Sequence, residues 1–282
     1  KDEKVLFLTP SYAYFKYAAD FNERESVCSD LINQDGYYTI DYEDFAKKAS
    51  DPQTKLFILC NPHNPIGKVW SKDDLKQIGN ICKRHHVYVV SDEIHMDFVY
   101  QGHTHTPFYN VDESFKEFTL ICTAPSKTFN LAALQTSNII IADEKMREAF
   151  IKEKDASGVN NPNIFGLDAC EAAYTFGAKW VDELIEYLSG NIDYMIQFFE
   201  ERLPEIKVIK PEGLYLVWVD MRALNMNHEE LEDFMLNQAH LWLDEGYIFG
   251  TGGAGFERFN VACPRSILKQ ALVQLERAIK ER

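Results

Sequence analysis

The sequence predicts an α/β protein: a three-layer large domain on a mostly parallel β-sheet, followed by a smaller C-terminal α+β domain. Three observations support this prediction. Short apolar, β-branched runs alternate with amphipathic segments in the first half of the chain. A long segment with helical spacing, residues 162–202, then follows. Strand-like runs and two amphipathic segments complete the chain.

The first half contains five strand-like runs. They are residues 5–8, 55–60, 87–90, 118–122 and 138–141. Apolar residues recur at helical spacing from Leu75 to Cys82, which predicts a helix over residues 71–86. Ser71 is a suitable N-cap for this helix, and basic residues occupy its last turn. Because one helix joins two buried strands, we expect those strands to be parallel.

The second half is predicted to end in a separate α+β unit. The predicted strands are residues 207–210, 214–221 and 256–263, and the predicted helices are residues 228–246 and 266–281. These patterns divide the chain into three parts. A large domain covers residues 1–165, a connecting helical segment covers 166–200 and a small domain covers 201–282.

The composition limits the classes of partner. The formal net charge of −15 argues against nucleic acid or an anionic membrane as the main partner, because both need basic surface. No run approaches the roughly 20 apolar residues that span a bilayer. The six cysteines are scattered without a CxxC pair, which is typical of reduced thiols in a cytoplasmic protein. Cys60, Cys82 and Cys122 lie in apolar runs and are predicted to be buried.

Three polar motifs directly follow three of the predicted strands. NPHNPIG (61–67) follows the strand at 55–60, SDEIH (91–95) follows the next, and TAPSK (123–127) follows the strand at 118–122. If these strands are parallel, the motifs meet at the carboxyl edge of one sheet, where open α/β sheets bind ligands.

The side chains at this edge suggest a chemistry. They are Lys127, Asp92, Asn64, His95, Thr123 and Ser126. A lysine near apolar surface is a nucleophile toward an aldehyde, and a carboxylate keeps a pyridine nitrogen protonated. The set therefore fits pyridoxal phosphate chemistry. Each residue alone also has an ordinary structural explanation, as a surface lysine or as turn and capping residues.

The order of the three motifs resembles the class I/II aminotransferase superfamily of pyridoxal phosphate enzymes, fold type I. DEIHMDF, GLYLVW, WVDMRAL and EGYIFGTGGAGFERFNVACP are similar to segments of the cystathionine β-lyase and cystalysin-type C–S lyases. The resemblance extends over essentially the whole chain. It implies a pyridoxal 5'-phosphate cofactor, a sulfur amino acid substrate and a homodimer. The implied reaction is β-elimination to pyruvate, ammonia and a thiol.

The resemblance also assigns roles to individual residues. Lys127 matches the lysine that binds the cofactor covalently and acts in catalysis, and Asp92 matches the partner of the pyridine nitrogen. Asn64 matches the amide that bonds the phenolic oxygen. His95 stands where many relatives have a tyrosine that bonds this oxygen, and the C–S lyases share the histidine.

Three more residues complete the implied site. Tyr12 matches the aromatic ring that stacks on the cofactor, and Ser126 matches a hydroxyl that binds its phosphate. Arg258 matches the arginine that binds the substrate α-carboxylate in a bidentate manner. Without the resemblance, Tyr12 could equally be core packing, and Arg258 would be read as a surface ion pair. Ala13 stands where some C–S lyases have a second tyrosine.

The residues leave three functions open. Gln135 occupies the position of an arginine that many aminotransferases use for the phosphate, which favours a lyase. An aminotransferase remains the alternative, because both reactions begin by loss of the same α-proton. A non-catalytic regulatory protein is the third. Since relatives begin about a hundred residues earlier, we also expect the large domain to lack its N-terminal portion.

Two further motifs are interpreted as unrelated to ligands. GTGGAG (250–255) satisfies GxGxxG but precedes a predicted strand, so we expect a flexible loop near Arg258 and no dinucleotide site. HTHTP (103–107) has too few ligands to predict a metal site. Trp180, Trp218 and Trp242 are predicted to be core residues.

Overall fold

The computed structural model describes residues 2–159 and 161–282. Its strands are β1 (Lys4–Thr9), β2 (Glu25–Asp30), β3 (Ile32–Gln34), β4 (Tyr37–Thr39), β5 (Thr54–Cys60), β6 (Tyr88–Asp92), β7 (Thr119–Thr123), β8 (Asn138–Ile141), β9 (Lys207–Ile209), β10 (Leu216–Asp220), β11 (Asp244–Glu245) and β12 (Phe256–Asn260). Its α-helices are α1 (Ala13–Phe21), α2 (Tyr42–Ala49), α3 (Lys72–His85), α4 (Pro125–Thr128), α5 (Glu144–Ala156), α6 (Ile164–Phe176), α7 (Ala178–Arg202), α8 (His228–Asp233) and α9 (Arg265–Lys280).

The larger sheet has the strand order β2-β1-β5-β6-β7-β8. All neighbours in it are parallel except β7 and β8, which are antiparallel. The smaller sheet has the order β11-β12-β10-β9 and is antiparallel throughout. The predicted fold class, a mostly parallel sheet followed by a smaller α+β part, is therefore confirmed.

Helices cover both faces of the larger sheet. On one face, Phe45 of α2 and Leu75 of α3 are buried in one apolar cluster with the strand residues Leu6, Phe57 and Val89. On the opposite face, Phe15 and Ala19 of α1 pack with Val5, Phe7 and Cys60. This alternation along β1 produces the three-layer arrangement that the sequence predicts.

Helix α3 begins and ends with capping structures that its sequence indicates. The Ser71 side chain accepts from the Asp74 N–H, and the Asp74 carboxylate accepts from the Ser71 N–H, which forms a capping box. The helix ends at His86, which adopts a left-handed conformation with φ of 57°. The prediction of this helix and of its N-cap is confirmed.

Residues 10–53 contain elements that the sequence pattern did not predict. Helices α1 and α2, edge strand β2 and the β3–β4 hairpin all lie there. Strand β2 is mostly half-buried because it has only one neighbour in the sheet, so it lacks a continuous apolar run. Helix α5 was likewise not predicted, and it has no buried residue.

The helix predicted over residues 228–246 is wrong in its second half. Helix α8 ends at Asp233 and continues as a short π-helix, Phe234–Gln238. His240 then takes a left-handed conformation with φ of 56°, and the following chain pairs as β11 with β12. Pairing with the sheet outweighs helical spacing here.

Several burial predictions are settled by the structure. Trp218 is buried, whereas Trp180 and Trp242 are exposed, so the core prediction is wrong for these two. Trp180 lies at the start of α7 and Trp242 in the loop after His240, where little chain covers them. Cys60 and Cys82 are buried as predicted, but Cys122 is only half-buried.

No helix among residues 2–159 and 161–282 is long and apolar enough to cross a membrane. The domain boundaries at residues 165 and 200 stay a prediction. Residues of the smaller sheet, among them Trp218 and Phe256, belong to the same apolar cluster as Leu6 and Phe57 of the larger sheet.

Candidate active site

The three polar motifs meet at one edge of the larger sheet. Strands β5, β6 and β7 are parallel neighbours, and Cys60, Asp92 and Cys122 lie in register near their carboxyl ends. NPHNPIG and TAPSK begin one residue beyond this row, and SDEIH begins one residue before it, in the last two residues of β6. The predicted convergence of the motifs at the carboxyl edge is confirmed.

A cavity of about 530 Å³ opens at this edge. All seven site residues predicted from the sequence line it: Tyr12, Asn64, Asp92, His95, Ser126, Lys127 and Arg258. Thr123 lies outside the lining, with its hydroxyl 3.5 Å from Nδ2 of Asn138. The chain therefore brings together residues separated by up to 246 positions, and their individual roles stay predictions.

Asp92 is the last residue of β6 and lies half-buried against the cavity. Burial raises the pKa of this carboxyl to about 6, and the neighbouring Glu93 charge adds to the effect. Two weaker effects oppose this rise and lower the pKa: the Ile94 N–H, which donates to Oδ1 at 3.2 Å, and the positive charge of Lys127. An adjacent cation would therefore stabilise the ionised form of Asp92.

His95 lies in the turn after β6 and is buried. Burial, with the positive charges of Lys127 and Arg258, lowers the pKa of this imidazole to about 3. The ring is therefore neutral at physiological pH. Its Nδ1 is buried and has no hydrogen-bond partner within the part of the chain that the structure describes.

Lys127 lies in α4, a single helical turn that begins with Pro125. Its side chain lines the cavity, and its positive charge lowers the pKa of both Asp92 and His95. Among the described residues it forms no hydrogen bond or ion pair. Ser126 of the same turn also lines the cavity. A half-buried amine without a protein partner is available to react.

Arg258 lies in β12 and is held by two acceptors. Its Nη1 donates to Oδ1 of Asn64 at 2.8 Å, and its Nη2 donates to Oδ2 of Asp244 at 2.5 Å. Asp244 is directly opposite Arg258 on β11. The Arg258 Nε is buried without a partner among the described residues. The guanidinium is therefore fixed in place and still has a donor for an anionic ligand.

Tyr12 precedes α1 and is half-buried at the cavity wall. Its ring stacks on Tyr14 with centroids 5.0 Å apart and meets Phe15 edge to face at 5.8 Å. The buried imidazole of His63 lies 2.8 Å from the carbonyl oxygen of Pro10, two residues before Tyr12. These contacts hold a flat aromatic surface at the edge of the cavity.

Sequence reasoning missed several residues of the site. Tyr215 and Asn260 line the cavity, and the Tyr215 ring lies 5.7 Å from that of His95. Asp244, the partner of Arg258, gave no separate signal in the sequence because an acidic residue in a polar segment is common. Gln135, already identified from the sequence, also lines the cavity, in a left-handed conformation with φ of 49°.

The two motifs interpreted as unrelated to ligands have structural positions of their own. Residues 250–255 precede β12, which confirms that GTGGAG comes before a strand. In HTHTP, His105 Nε2 lies 3.0 Å from Oε2 of buried Glu93, and His103 lies 3.7 Å from Glu212. No group of three or more possible metal ligands occurs in the described ranges.

Comparisons with known proteins agree with this geometry. The family model for aminotransferase class I and II matches residues 1–275. Cystathionine β-lyase PatB of Bacillus subtilis is 41% identical over 277 residues, covering 98% of this chain and 72% of its own length. Protein MalY of Escherichia coli is 36% identical over 279 residues, covering 99% of this chain and 71% of its own.

The structural comparison gives the same result. The crystal structure of cystalysin from Treponema denticola, which contains pyridoxal 5'-phosphate, aligns with a TM-score of 0.97 and 42% identity. The alignment covers 99% of this chain and 71% of the cystalysin chain. From its sequence, its fold and the composition of its cavity, this chain belongs to the aminotransferase class I and II family.

Proposed function

We propose that this chain catalyses the pyridoxal 5'-phosphate-dependent β-elimination of cystathionine or a related cysteine-type amino acid, giving pyruvate, ammonia and a thiol. The observation behind this proposal is the convergence of Lys127, Asp92, His95 and Arg258 on one cavity. The similarity to PatB and to cystalysin supports a carbon–sulfur lyase in particular.

The unpaired groups of the cavity match the chemistry of this cofactor. Lys127 provides an amine without a protein partner for the aldehyde, and the raised pKa of Asp92 suits a carboxylate that awaits a pyridinium. Among the described residues, His95 Nδ1 has no hydrogen-bond partner. The Asn64 side-chain oxygen accepts from Arg258, which leaves its Nδ2 as a donor for a ligand. These two residues would hold the phenolic oxygen.

The remaining contacts are assigned by shape and donor type. Tyr12 offers a ring for stacking, and Ser126 offers a hydroxyl for the phosphate. When bound, pyridoxal phosphate delocalises the negative charge that develops on the substrate α-carbon. With the cofactor bound, Asp92 would be ionised and would balance the charge of a protonated pyridine nitrogen.

The residues of the chain perform the binding and the proton transfer. Arg258 binds the substrate α-carboxylate through Nε and a remaining N–H. Asn64 and Asp244 accept hydrogen bonds from the guanidinium and fix its orientation. Lys127 Nζ accepts the α-proton as general base. The imidazole of His95 stays neutral beside Lys127 at physiological pH.

The test is pyruvate release from L-cystathionine by the chain with pyridoxal phosphate and without any α-keto acid. Lys127→Ala is expected to lower this rate by at least about 10²-fold, since it removes the general base. Lys152→Ala, at an exposed position of α5, is the matched control and should behave as wild type. Wild-type turnover by Lys127→Ala would contradict the assignment.

An aminotransferase is the second candidate, favoured by the description of the matching family. Both reactions need the same amine and the same carboxylate clamp, so the lining of the cavity does not separate them. A strict requirement for an α-keto acid acceptor would favour the aminotransferase. A chain that neither releases pyruvate nor transfers an amino group would favour a non-catalytic, regulatory role.

We also propose that the protein works as a cytoplasmic homodimer. Ile164, Phe165 and Leu167 leave large apolar side chains exposed on α6, which supports self-association. Its six free cysteines suit a reducing compartment. A light-scattering mass of twice the 32.6 kDa chain would support the dimer, and a monomeric mass at micromolar concentration would contradict it.

A further inference from the structure

We propose that Thr128 and Asp97 form a tether that positions Lys127 against the segment carrying Asp92 and His95. Neither residue lines the main cavity, so both act through Lys127 as positioning residues. This inference rests on the proposed function, because it concerns the lysine that the function requires.

Helix α4 needs a tertiary anchor. It has only four residues, Pro125–Thr128, and Ala124 at its N-terminus provides no side-chain cap. A single turn of helix is not stable by itself, since nucleation costs more than one hydrogen bond returns. The position of Lys127 must therefore be determined by contacts that α4 makes with the rest of the protein.

The strongest polar contact of α4 is made by Thr128. This residue is completely buried, and its hydroxyl donates to Oδ2 of Asp97 at 2.6 Å. A short hydrogen bond to a carboxylate is roughly twice as strong as one between neutral groups. On the same turn, the Phe129 ring stacks on Trp180 with centroids 5.9 Å apart. The hydroxyl bond and the ring contact thus hold α4 from two directions.

Asp97 belongs to the turn that also supplies the other polar groups of the site. It lies two residues after His95 and five after Asp92. The turn is closed by backbone bonds from Met96 N–H to the Glu93 carbonyl and from Phe98 N–H to the His95 carbonyl, both 3.0 Å. The Thr128–Asp97 bond therefore joins the lysine-bearing segment to a rigid segment that carries its electrostatic partners.

Loss of the Thr128–Asp97 bond would affect function because the reaction tolerates little displacement of the Lys127 amine. A shift of about 1 Å in a reacting group can reduce a rate by about 10²-fold. Loss of the tether leaves Asp97 without its donor in a half-buried position and frees α4 on one side. We expect the amine of Lys127 to reach its reaction geometry less often, while the fold remains intact.

The experiment measures covalent capture of the cofactor by Lys127. Pyridoxal phosphate is added to the cofactor-free chain, samples are reduced with borohydride over time, and the modified Lys127 peptide is quantified by mass spectrometry. Thr128→Val keeps the shape and removes the hydroxyl, and we expect capture to slow by about tenfold or more. Thr128→Ser restores the donor and should recover most of the rate.

Thr54→Val is the matched control. Thr54 is also buried, and its hydroxyl donates to the Lys48 carbonyl at 2.9 Å, at the opposite end of strand β5 from the motifs. A general loss of stability should affect Thr54→Val and Thr128→Val alike, whereas slow capture should appear only in Thr128→Val. Asp97→Ala should slow capture as Thr128→Val does, and the double variant should be no slower.

The outcomes separate the two proposals. Capture at the wild-type rate by Thr128→Val, or equal slowing in Thr54→Val, would overturn the tether and leave the proposed function standing. A wild-type chain that captures no cofactor on Lys127 would overturn both. Slow capture in Thr128→Val with recovery in Thr128→Ser would establish the tether.

Discussion

Arg258 illustrates how individual residues of the cavity are prepared for a ligand. Its guanidinium is held by Asn64 and Asp244, and its Nε remains buried without a partner among the described residues. A clamp that is already oriented loses little conformational freedom when an anion binds. Asp244 also weakens binding, because its carboxylate competes with an incoming carboxylate for the positive charge of Arg258.

Asp92 leads to a prediction about pH. Its pKa is about 6 in the folded chain and near 3.8 when unperturbed, so burial disfavours the ionised form. When folding raises the pKa of a carboxyl, its contribution to the free energy of unfolding is complete at pH values below the pKa of the unfolded chain. That contribution is lost as the pH rises through the pKa of the folded chain. Between about pH 4 and 6, we therefore expect the free energy of unfolding of the cofactor-free chain to fall by up to about 2 kcal/mol relative to that of Asp92→Asn.

Urea unfolding of both proteins at a series of pH values measures this difference. Asp168→Asn, at an exposed position of α6, is the control and should follow the wild-type curve. Parallel curves for wild type and Asp92→Asn from pH 4 to 7 would show that Asp92 is not desolvated.

Helix α3 shows how packing can reverse a helix propensity. Gly79 lies buried in α3, and a Cβ atom at this position would overlap the ring of buried Phe115. Replacing glycine by alanine in a helix normally stabilises it by about 1 kcal/mol. Here the close approach of helix and ring requires the glycine.

We expect Gly79→Ala to lower the free energy of unfolding by about 1–3 kcal/mol, because the overlap forces a backbone shift in a packed core. Gly190→Ala in α7 is the comparison, since its Cβ would meet only the far end of the Arg265 side chain, whose Nη2 lies 3.1 Å away. That variant should be neutral or more stable by about 0.5–1 kcal/mol. Urea midpoints decide the matter, and a stabilised Gly79→Ala would contradict the packing argument.

The larger and the smaller sheet share an apolar core, in which Trp218 belongs to the same buried cluster as Leu6 and Phe57 of the larger sheet. Trp218 of β10 stacks on Phe256 at 5.1 Å, and its indole N–H donates to the Tyr38 hydroxyl of β4 at 3.2 Å. Both tryptophan and tyrosine are buried. The cavity is lined by Arg258 of the smaller sheet and by Lys127 after β7 of the larger sheet, so its shape relies on the shared core that holds the two sheets together.

Trp218→Ala is therefore expected to cost about 3–5 kcal/mol of unfolding free energy, through a large cavity and an unpaired Tyr38. Trp242→Ala removes the same side chain from a position that is 89% exposed, and should stay within about 0.5 kcal/mol of wild type. Urea transitions followed by circular dichroism compare the two. Equal losses would show that Trp218 does not connect the sheets.

Much of the larger sheet was predictable because its signals are local. Buried parallel strands such as β5 and β7 need continuous apolar runs, and the capping box of α3 needs Ser71 and Asp74 three positions apart. The polar motifs directly follow their strands, so the direction of the strands alone placed Asp92 and Lys127 at one edge.

The sequence by itself thus determined the fold class, the family and the residues of the sheet edge. Tertiary structure alone decided the approach of Arg258 to Asn64, 194 positions earlier, the tether from Thr128 to Asp97, and the end of α8 at Asp233. These features depend on contacts between distant segments, whose energies exceed local propensities and leave no periodic pattern in the chain.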